Sequence, residues 1–410
     1  MMDAKHIPLY DIRYLEMRIR SLYFIGKGVF QMVTVKAPAA YYNEPGLLKR
    51  SGEYIHTLGS HALIIGGHTA LSITEEALQA SLIAAGIRVE IKTFAGQCTV
   101  EEIGAYTAIA KQLQVDIIIA VGGGKVLDLS KAVAEDAGLP IVTIPTIPAT
   151  CAAWSALTVL YDERGQAAGY RPLLRSPELV LADTDLLAQA PPRYLAAGIG
   201  DTLVKWYEFA VNLSGNAGSV ALRSSVATAR LALDILERHA TAVYKEAGQP
   251  GYEPDAAFTE VTDAIIWLAG LVGSVQDGSV HAAIAHGLHD SLTRIEETHD
   301  RLHGEKVAFG LLTQWVLEGK SGVELERLAS WLHELDLPIT LDQLGITADV
   351  QPSATSIAEG LVLREGAAAQ LDFAVTTEAL QAAIIQANEL GQTLSQRSLR
   401  PTLVQTIANA

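Results

Sequence analysis

"VDIIIAVGGGKVLDLSK", residues 115–131, runs from β-branched residues through three glycines into helical spacing. A short apolar run that ends in glycine and gives way at once to helical periodicity reads as a buried strand turning into a helix. Gly122, Gly123 and Gly124 at that junction let backbone N–H groups approach a pyrophosphate, and the helix N-terminus adds its partial positive charge. The alternative is a tight strand-to-helix turn without a ligand. Lys125 is followed by Val126 rather than Ser or Thr, which excludes a Walker A loop.

Outward from this stretch the pattern alternates. "HALIIGG" from His61, "RVEIKTF" from Arg88 and "PIVTIPT" from Pro140 are strand-like, and segments with helical spacing separate them. Apolar runs of strand length joined by helices predict parallel strands with right-handed crossovers, an N-terminal α/β, doubly wound (Rossmann-like) sheet. The first turn of this sheet, "IIGGHTAL", is not GxGxxG, but Gly66 and Gly67 there also permit close approach. Further on, "SALTVLYDERGQAAGYR" predicts a hairpin around "DERG", and "ELVLADTDLL" a last strand. Beyond the proline pair at 191 and 192, Ala/Leu-rich helical patterns run on. The expected organisation is an extension over 1–31, a dinucleotide-binding domain over 32–190 and an all-α, metal-binding domain over 191–410.

Composition narrows the function classes. A net charge of −16, with no basic stripe, argues against nucleic acid, and no apolar run approaches the roughly 20 residues of a membrane helix. Cys98 and Cys151 are too few for a disulfide framework, so a reducing cytoplasm and a small-molecule partner are expected. The chain also holds 11 histidines, and His281, His286, His289, His299 and His303 crowd into one segment. His286 and His289 stand three apart and share a helix face, while His303 follows a loop. Two or three of them could meet one cation, with a carboxylate from another element. Asp201, in "AAGIGDTLVKW", is the best candidate, its alternative being a helix N-terminal charge favoured by the dipole.

Together "AVGGGKVLDLSKAVA", "IPTIPATCAAWSALTVLYDERG", "LAAGIGDTLVKWYE" and "HGLHDSLTRIEETHDRLHGEKVAFG" resemble the glycerol dehydrogenase branch of the iron-containing (group III) alcohol dehydrogenases. The resemblance starts near residue 33 and reaches the C-terminal helices, and implies a dehydroquinate synthase-like architecture. It implies Asp201, His286 and His303 as ligands of one divalent metal, with His289 beside it on the proton path. It places Gly122 to Lys125, Asp128, Thr143, Thr146, Ser155, Leu157 and Tyr161 around NAD(P), joined by Gly66 and Gly67, and leaves His281 and His299 as bystanders. A homo-oligomer is expected.

Three departures from the family pattern bear on function. Iron-dependent relatives carry a histidine where this chain has Lys205, which favours zinc over iron. Glycerol dehydrogenases have an aspartate at the position of Cys151, and here "CAAW" is similar to the hydroxycarboxylate dehydrogenases. NAD-using members carry an aspartate at Gly67, so tolerance of NADP(H) is expected, unless Gly67 only shapes its turn. The expected reaction is hydride transfer between NAD(P)(H) and a small 2-oxo or 2-hydroxy acid, with Lys205 as the positive partner of the carboxylate or, alternatively, paired with Glu208. A polyol dehydrogenase is the alternative, followed by a dehydroquinate-synthase-like lyase and a non-catalytic binding protein.

Overall fold

The computed structural model describes residues 32–213, 218–347 and 349–399; the expected extension over 1–31 lies outside them. The strands are β1 (Thr34–Val35), β2 (Ala40–Glu44), β3 (His61–Gly67), β4 (Arg88–Phe94), β5 (Ile117–Gly122), β6 (Ile141–Pro145), β7 (Leu157–Tyr161), β8 (Ala167–Pro172), β9 (Leu179–Asp183) and β10 (Val275–Gln276). Six of them form one parallel sheet in the order β2-β9-β6-β5-β3-β4. Four helices accompany this sheet, α1 (Leu47–Ile55), α2 (His68–Ala84), α3 (Val100–Leu113) and α4 (Gly124–Ala137), and a short α5 (Thr184–Ala188) follows β9.

Every residue of β5 is buried, because both faces of the sheet are covered, and a strand in that setting shows as a continuous apolar run. The two-residue alternation then assigns side chains to different cores. Ile117, Ile119 and Val121 pack with Leu71, Leu78 and Leu82 of α2, while Ile118 and Ala120 join the core that continues into the helical part. The helices carry their own start and stop signals: Thr99 caps the start of α3 by accepting from the Glu102 amide at 3.2 Å, and α4 ends at Gly138 with φ 71°.

Three features differ from the sequence expectation. The edge strand β2, "AYYNE", was not foreseen, since it has no β-branched run; it pairs in parallel with β9, Ala40 opposite Leu179. Only the first half of "ELVLADTDLL" is strand. Asp183 ends it by capping α5, and its carboxylate also accepts from the Gly46 and Leu48 amides at 3.1 and 2.7 Å, which ties the start of α1 to the sheet. Finally, the helical part is not purely helical, because β10 lies within it and pairs antiparallel with β1.

The helical part consists of α6 (Pro192–Ala210), α7 (Val220–Ala247), α8 (Ala256–Ser274), α9 (Ile284–Leu292), α10 (His303–Leu317), α11 (Gly322–Glu334), α12 (Val350–Gly360) and α13 (Thr377–Leu399). Helix α8, which has a π turn at Ala264–Leu268, is apolar and long enough to cross a membrane, yet Phe258, Val261, Ile265 and Ile266 place it in the protein core. Proline at its first position starts α6, which packs against α7 and α10. The crossing of α6 and α10 is closer than ordinary side chains allow. A Cβ on Gly304 would lie 1.8 Å from the Ala197 carbonyl oxygen, and one on Gly200 would lie 2.9 Å from the Gly304 carbonyl oxygen. Backbone therefore meets backbone there, and the contact sets Asp201 and His303 side by side.

Candidate active site

Asp201 lies in the middle of α6, only 2% exposed, rather than at a helix N-terminus, so the helix dipole does not account for it. His286 comes from the first turn of α9 and His303 opens α10. One ligand atom from each of the three lies within 4.8 Å of the others. His286 Nε2 is 3.2 Å from Asp201 Oδ1, and His303 Nε2 is 3.4 Å from the same oxygen. Burial on its own would raise the Asp201 carboxyl, but Lys205, His286 and His303 together hold it well below the usual carboxylate range. A charged oxygen and two imidazole nitrogens converging on one point form a donor set that fits a divalent transition metal.

The surrounding residues are as specific. Glu208, 3% exposed, accepts from the His286 backbone N–H at 2.9 Å and meets its ring Nδ1 at 2.5 Å. Burial opposes the charged form of His286, yet Glu208 and Asp201 lift it to about 9. Lys205 donates to Asp201 Oδ1 at 3.1 Å and not to Glu208, so its expected alternative pairing does not occur. His289 has both ring nitrogens engaged, Nε2 3.0 Å from His303 Nδ1 and Nδ1 3.0 Å from Asp290 Oδ1. The two expected bystanders lie outside the cluster: His281 pairs with Ser279 Oγ at 2.9 Å and His299 with the Thr293 carbonyl at 3.0 Å.

The glycine turns meet at the C-terminal edge of the sheet. From β3 the chain crosses to β4 on one side, and from β5 to β6 on the other, which opens a crevice between neighbouring turns. Gly122 has φ 146°, and a Cβ there would lie 2.5 Å from Val126 Cγ1 and 3.8 Å from the Gly67 nitrogen. The starts of α2 and α4 are preceded by Gly67 and Gly123, and neither has a side-chain cap. Both helix N-termini therefore keep amide donors available for an anion such as a pyrophosphate. A Cβ on Gly67 would meet nothing within 4 Å, whereas one on Gly66 would lie 2.6 Å from Leu71.

Other expected cofactor residues are gathered nearby, several of them engaged within the fold. The Lys125 ammonium lies 6.0 Å from the centre of the Tyr161 ring. The Thr146 amide bonds the Gly122 carbonyl at 3.2 Å, while the hydroxyl of buried Thr143 donates to the Ala153 carbonyl at 2.8 Å. Asp128 is paired with Lys131 at 2.8 Å and accepts from the Val159 amide at 3.0 Å. The Lys131 ammonium also reaches Ser155 Oγ at 2.9 Å and the Leu157 carbonyl at 2.6 Å, clamping the hairpin to α4. Lys131 was not foreseen; its spacing of three from Asp128 on one helix was the available signal. Cys151 lies at a turn within reach of the Lys205 and Asp201 charges; burial pushes its thiol up and Asp201 adds to this, while Lys205 pulls it down.

Lys306 was also missed. One turn after His303 on α10, it is 4% exposed, and its ammonium makes no hydrogen bond or ion pair among the described residues. Burial, opposed by the charge of Glu305 and reinforced by that of Lys125, lowers its ammonium to about 8.

A doubly wound sheet with glycine turns at its C-terminal edge, joined to a helical part that carries an Asp/His/His cluster, fits a dinucleotide-linked metalloenzyme. Residues 38–184 match the model of the family described as iron-containing alcohol dehydrogenase. A glycerol dehydrogenase of Pseudomonas putida is 35% identical over 366 residues, covering 87% of this chain and 98% of that one. Hydroxycarboxylate dehydrogenase A of Escherichia coli is 34% identical over 320 residues, 77% of this chain and 86% of that one. The crystal structure of a probable glycerol dehydrogenase from Sinorhizobium meliloti superimposes with a TM-score of 0.79 at 31% identity, over 88% of this chain and 99% of that one. The chain belongs to the iron-containing alcohol dehydrogenase family, in its glycerol dehydrogenase branch, and is a dehydrogenase.

Proposed function

We propose that the protein interconverts a small polyol, glycerol first, and the corresponding hydroxycarbonyl compound, using NAD(P)(H) and one divalent metal. The observation that carries this reading is the convergence of Asp201, His286 and His303 on one point. In it, the part over 32–190 holds the dinucleotide and the part over 191–410 holds the metal, zinc in preference to iron. When bound, the metal supplies Lewis acidity at the substrate oxygen and the nicotinamide carries the hydride. The chain supplies the rest. Uncapped amides at Gly67 and Gly123 receive the pyrophosphate, Lys125 adds positive charge, and Asp201 offsets the metal's charge in a buried site. The unpaired state of Cys98 and Cys151 fits a cytoplasmic enzyme, and a homo-oligomer is part of the same proposal.

The glycerol reading displaces the 2-oxo acid expected from the sequence for two reasons. Relatives of comparable identity include several named glycerol dehydrogenases. The lysine expected to receive a substrate carboxylate is also engaged, since Lys205 is bonded to Asp201. One observation favours the 2-oxo acid as a second reading: Cys151, with its raised thiol pKa, adds no negative charge to the cleft. The test is a panel of glycerol, dihydroxyacetone and small 2-oxo acids with NAD(H) and NADP(H), alongside metal analysis, in the native protein and Cys151→Asp. A kcat/KM for glycerol above that for the acids is expected. The reverse order, with acid activity lost in Cys151→Asp, would put the second reading in its place.

A further inference from the structure

We propose that two carboxylates outside the donor set, Glu208 and Asp290, select which ring nitrogen His286 and His303 present to the metal; this rests on the metal reading above. A neutral imidazole has one N–H and one lone pair, and a metal needs the lone pair. A carboxylate only accepts. Glu208 takes the His286 backbone N–H on Oε1 at 2.9 Å and faces ring Nδ1 with Oε2 at 2.5 Å. Nδ1 therefore carries the hydrogen, and in the neutral ring the lone pair is on Nε2, the nitrogen 3.2 Å from Asp201.

The second ligand is set through an intermediary. Asp290 accepts from the Tyr170 hydroxyl at 2.8 Å and from His289 Nδ1 at 3.0 Å. His289 is thereby left with its lone pair on Nε2, which accepts from His303 Nδ1 at 3.0 Å. The His303 lone pair falls on Nε2, again the nitrogen facing Asp201, at 3.4 Å. His289 is 4% exposed, and the opposite tautomer would set lone pair against lone pair, or N–H against N–H, in a site with little water. With both nitrogens spent in this chain, His289 is a positioning residue.

Glu208 has no other evident reason to be buried as a carboxylate, because the neighbouring lysine, Lys205, bonds Asp201 instead. Glutamine cannot replace it. Its side chain offers one acceptor where two N–H groups need one each, and an amide NH2 donating to Nδ1 would move the ring hydrogen to Nε2, on the metal side.

The test measures zinc affinity by chelator competition on the purified full-length protein at one fixed pH, together with the visible absorption of the cobalt(II)-loaded protein. Glu208→Gln should weaken zinc binding about 10- to 100-fold, and Asp290→Ala by about 10-fold. Both should alter the cobalt bands, with the thermal midpoint of the metal-free protein near wild type in Asp290→Ala. The Asp290 side chain is 31% exposed, so if Glu208→Gln does not fold, Asp290→Ala decides alone. His281→Ala should retain wild-type affinity. Wild-type affinity and unchanged cobalt bands in the tested carboxylate variants overturn the inference and leave the metal reading standing. A wild-type protein that binds neither ion stoichiometrically overturns the metal reading, and this inference with it.

Discussion

Replacing Lys306 by methionine should make the metal- and cofactor-free protein more stable. Lys306 is 4% exposed, and its ammonium has no hydrogen-bond or ion-pair acceptor among the described residues. Burial lowers its pKa from 10.5 to about 8. At about 1.4 kcal/mol per tenfold change in proton affinity, this difference corresponds to a cost of roughly 3 kcal/mol for keeping the charge in the folded state. The sign follows from the depressed pKa. Below pH 8 both states are charged and the full cost applies; between 8 and 10.5 the folded lysine is neutral while the unfolded one still binds its proton, so the cost fades; above 10.5 it vanishes. Methionine fills similar space without the charge. Lys306→Met should therefore gain up to about 3 kcal/mol near pH 7, a gap that closes as the pH rises towards 10.5. Chemical denaturation of both proteins at pH 7, 9 and 10.5 measures it. The same variant should bind NAD(P) more weakly, because a cation held without a partner beside Lys125 suits an anionic ligand, and stability is commonly lost at such sites. A variant less stable than wild type at pH 7, or a gap that does not change with pH, would refute this reasoning.

Other substitutions address separate parts of the site. His286→Ala and His303→Ala should each lose stoichiometric metal and activity, while His281→Ala and His299→Ala keep both, as read by metal analysis after dialysis. Gly67→Asp brings in a carboxylate where a Cβ meets nothing within 4 Å, so it should fold normally and raise the KM for NADPH about tenfold relative to that for NADH. Lys131→Met leaves Asp128 buried without its cation and removes the lysine's contacts to the hairpin; a loss of about 3 kcal/mol or more is expected in denaturation experiments.

The sheet was legible where burial on both faces imposed uninterrupted apolar runs. "HALIIGG" and "RVEIKTF" coincide with β3 and β4, residue for residue. The edge strand β2 was not legible, because "AYYNE" is half-buried throughout apart from an exposed Tyr42, and its pairing is set by β9 rather than by its own composition. The short β10 was equally hidden, since two residues have no periodicity to read.

In the site, the histidine spacing announced a cluster, but the charged residues around it acquire meaning only from packing. Lys205 shows why. On an isolated helix it reaches Asp201 four residues before it and Glu208 three residues after it, so local geometry leaves its partner undecided. The decision comes from α9, which presents two N–H groups of His286 to the two oxygens of Glu208 and so removes that carboxylate from the lysine's reach. Lys205 is left to Asp201, and the positive charge expected for a substrate carboxylate is already taken. The charge left for a substrate is therefore decided by a contact between α6 and α9, with 78 positions between Glu208 and His286, which no reading of either segment alone contains.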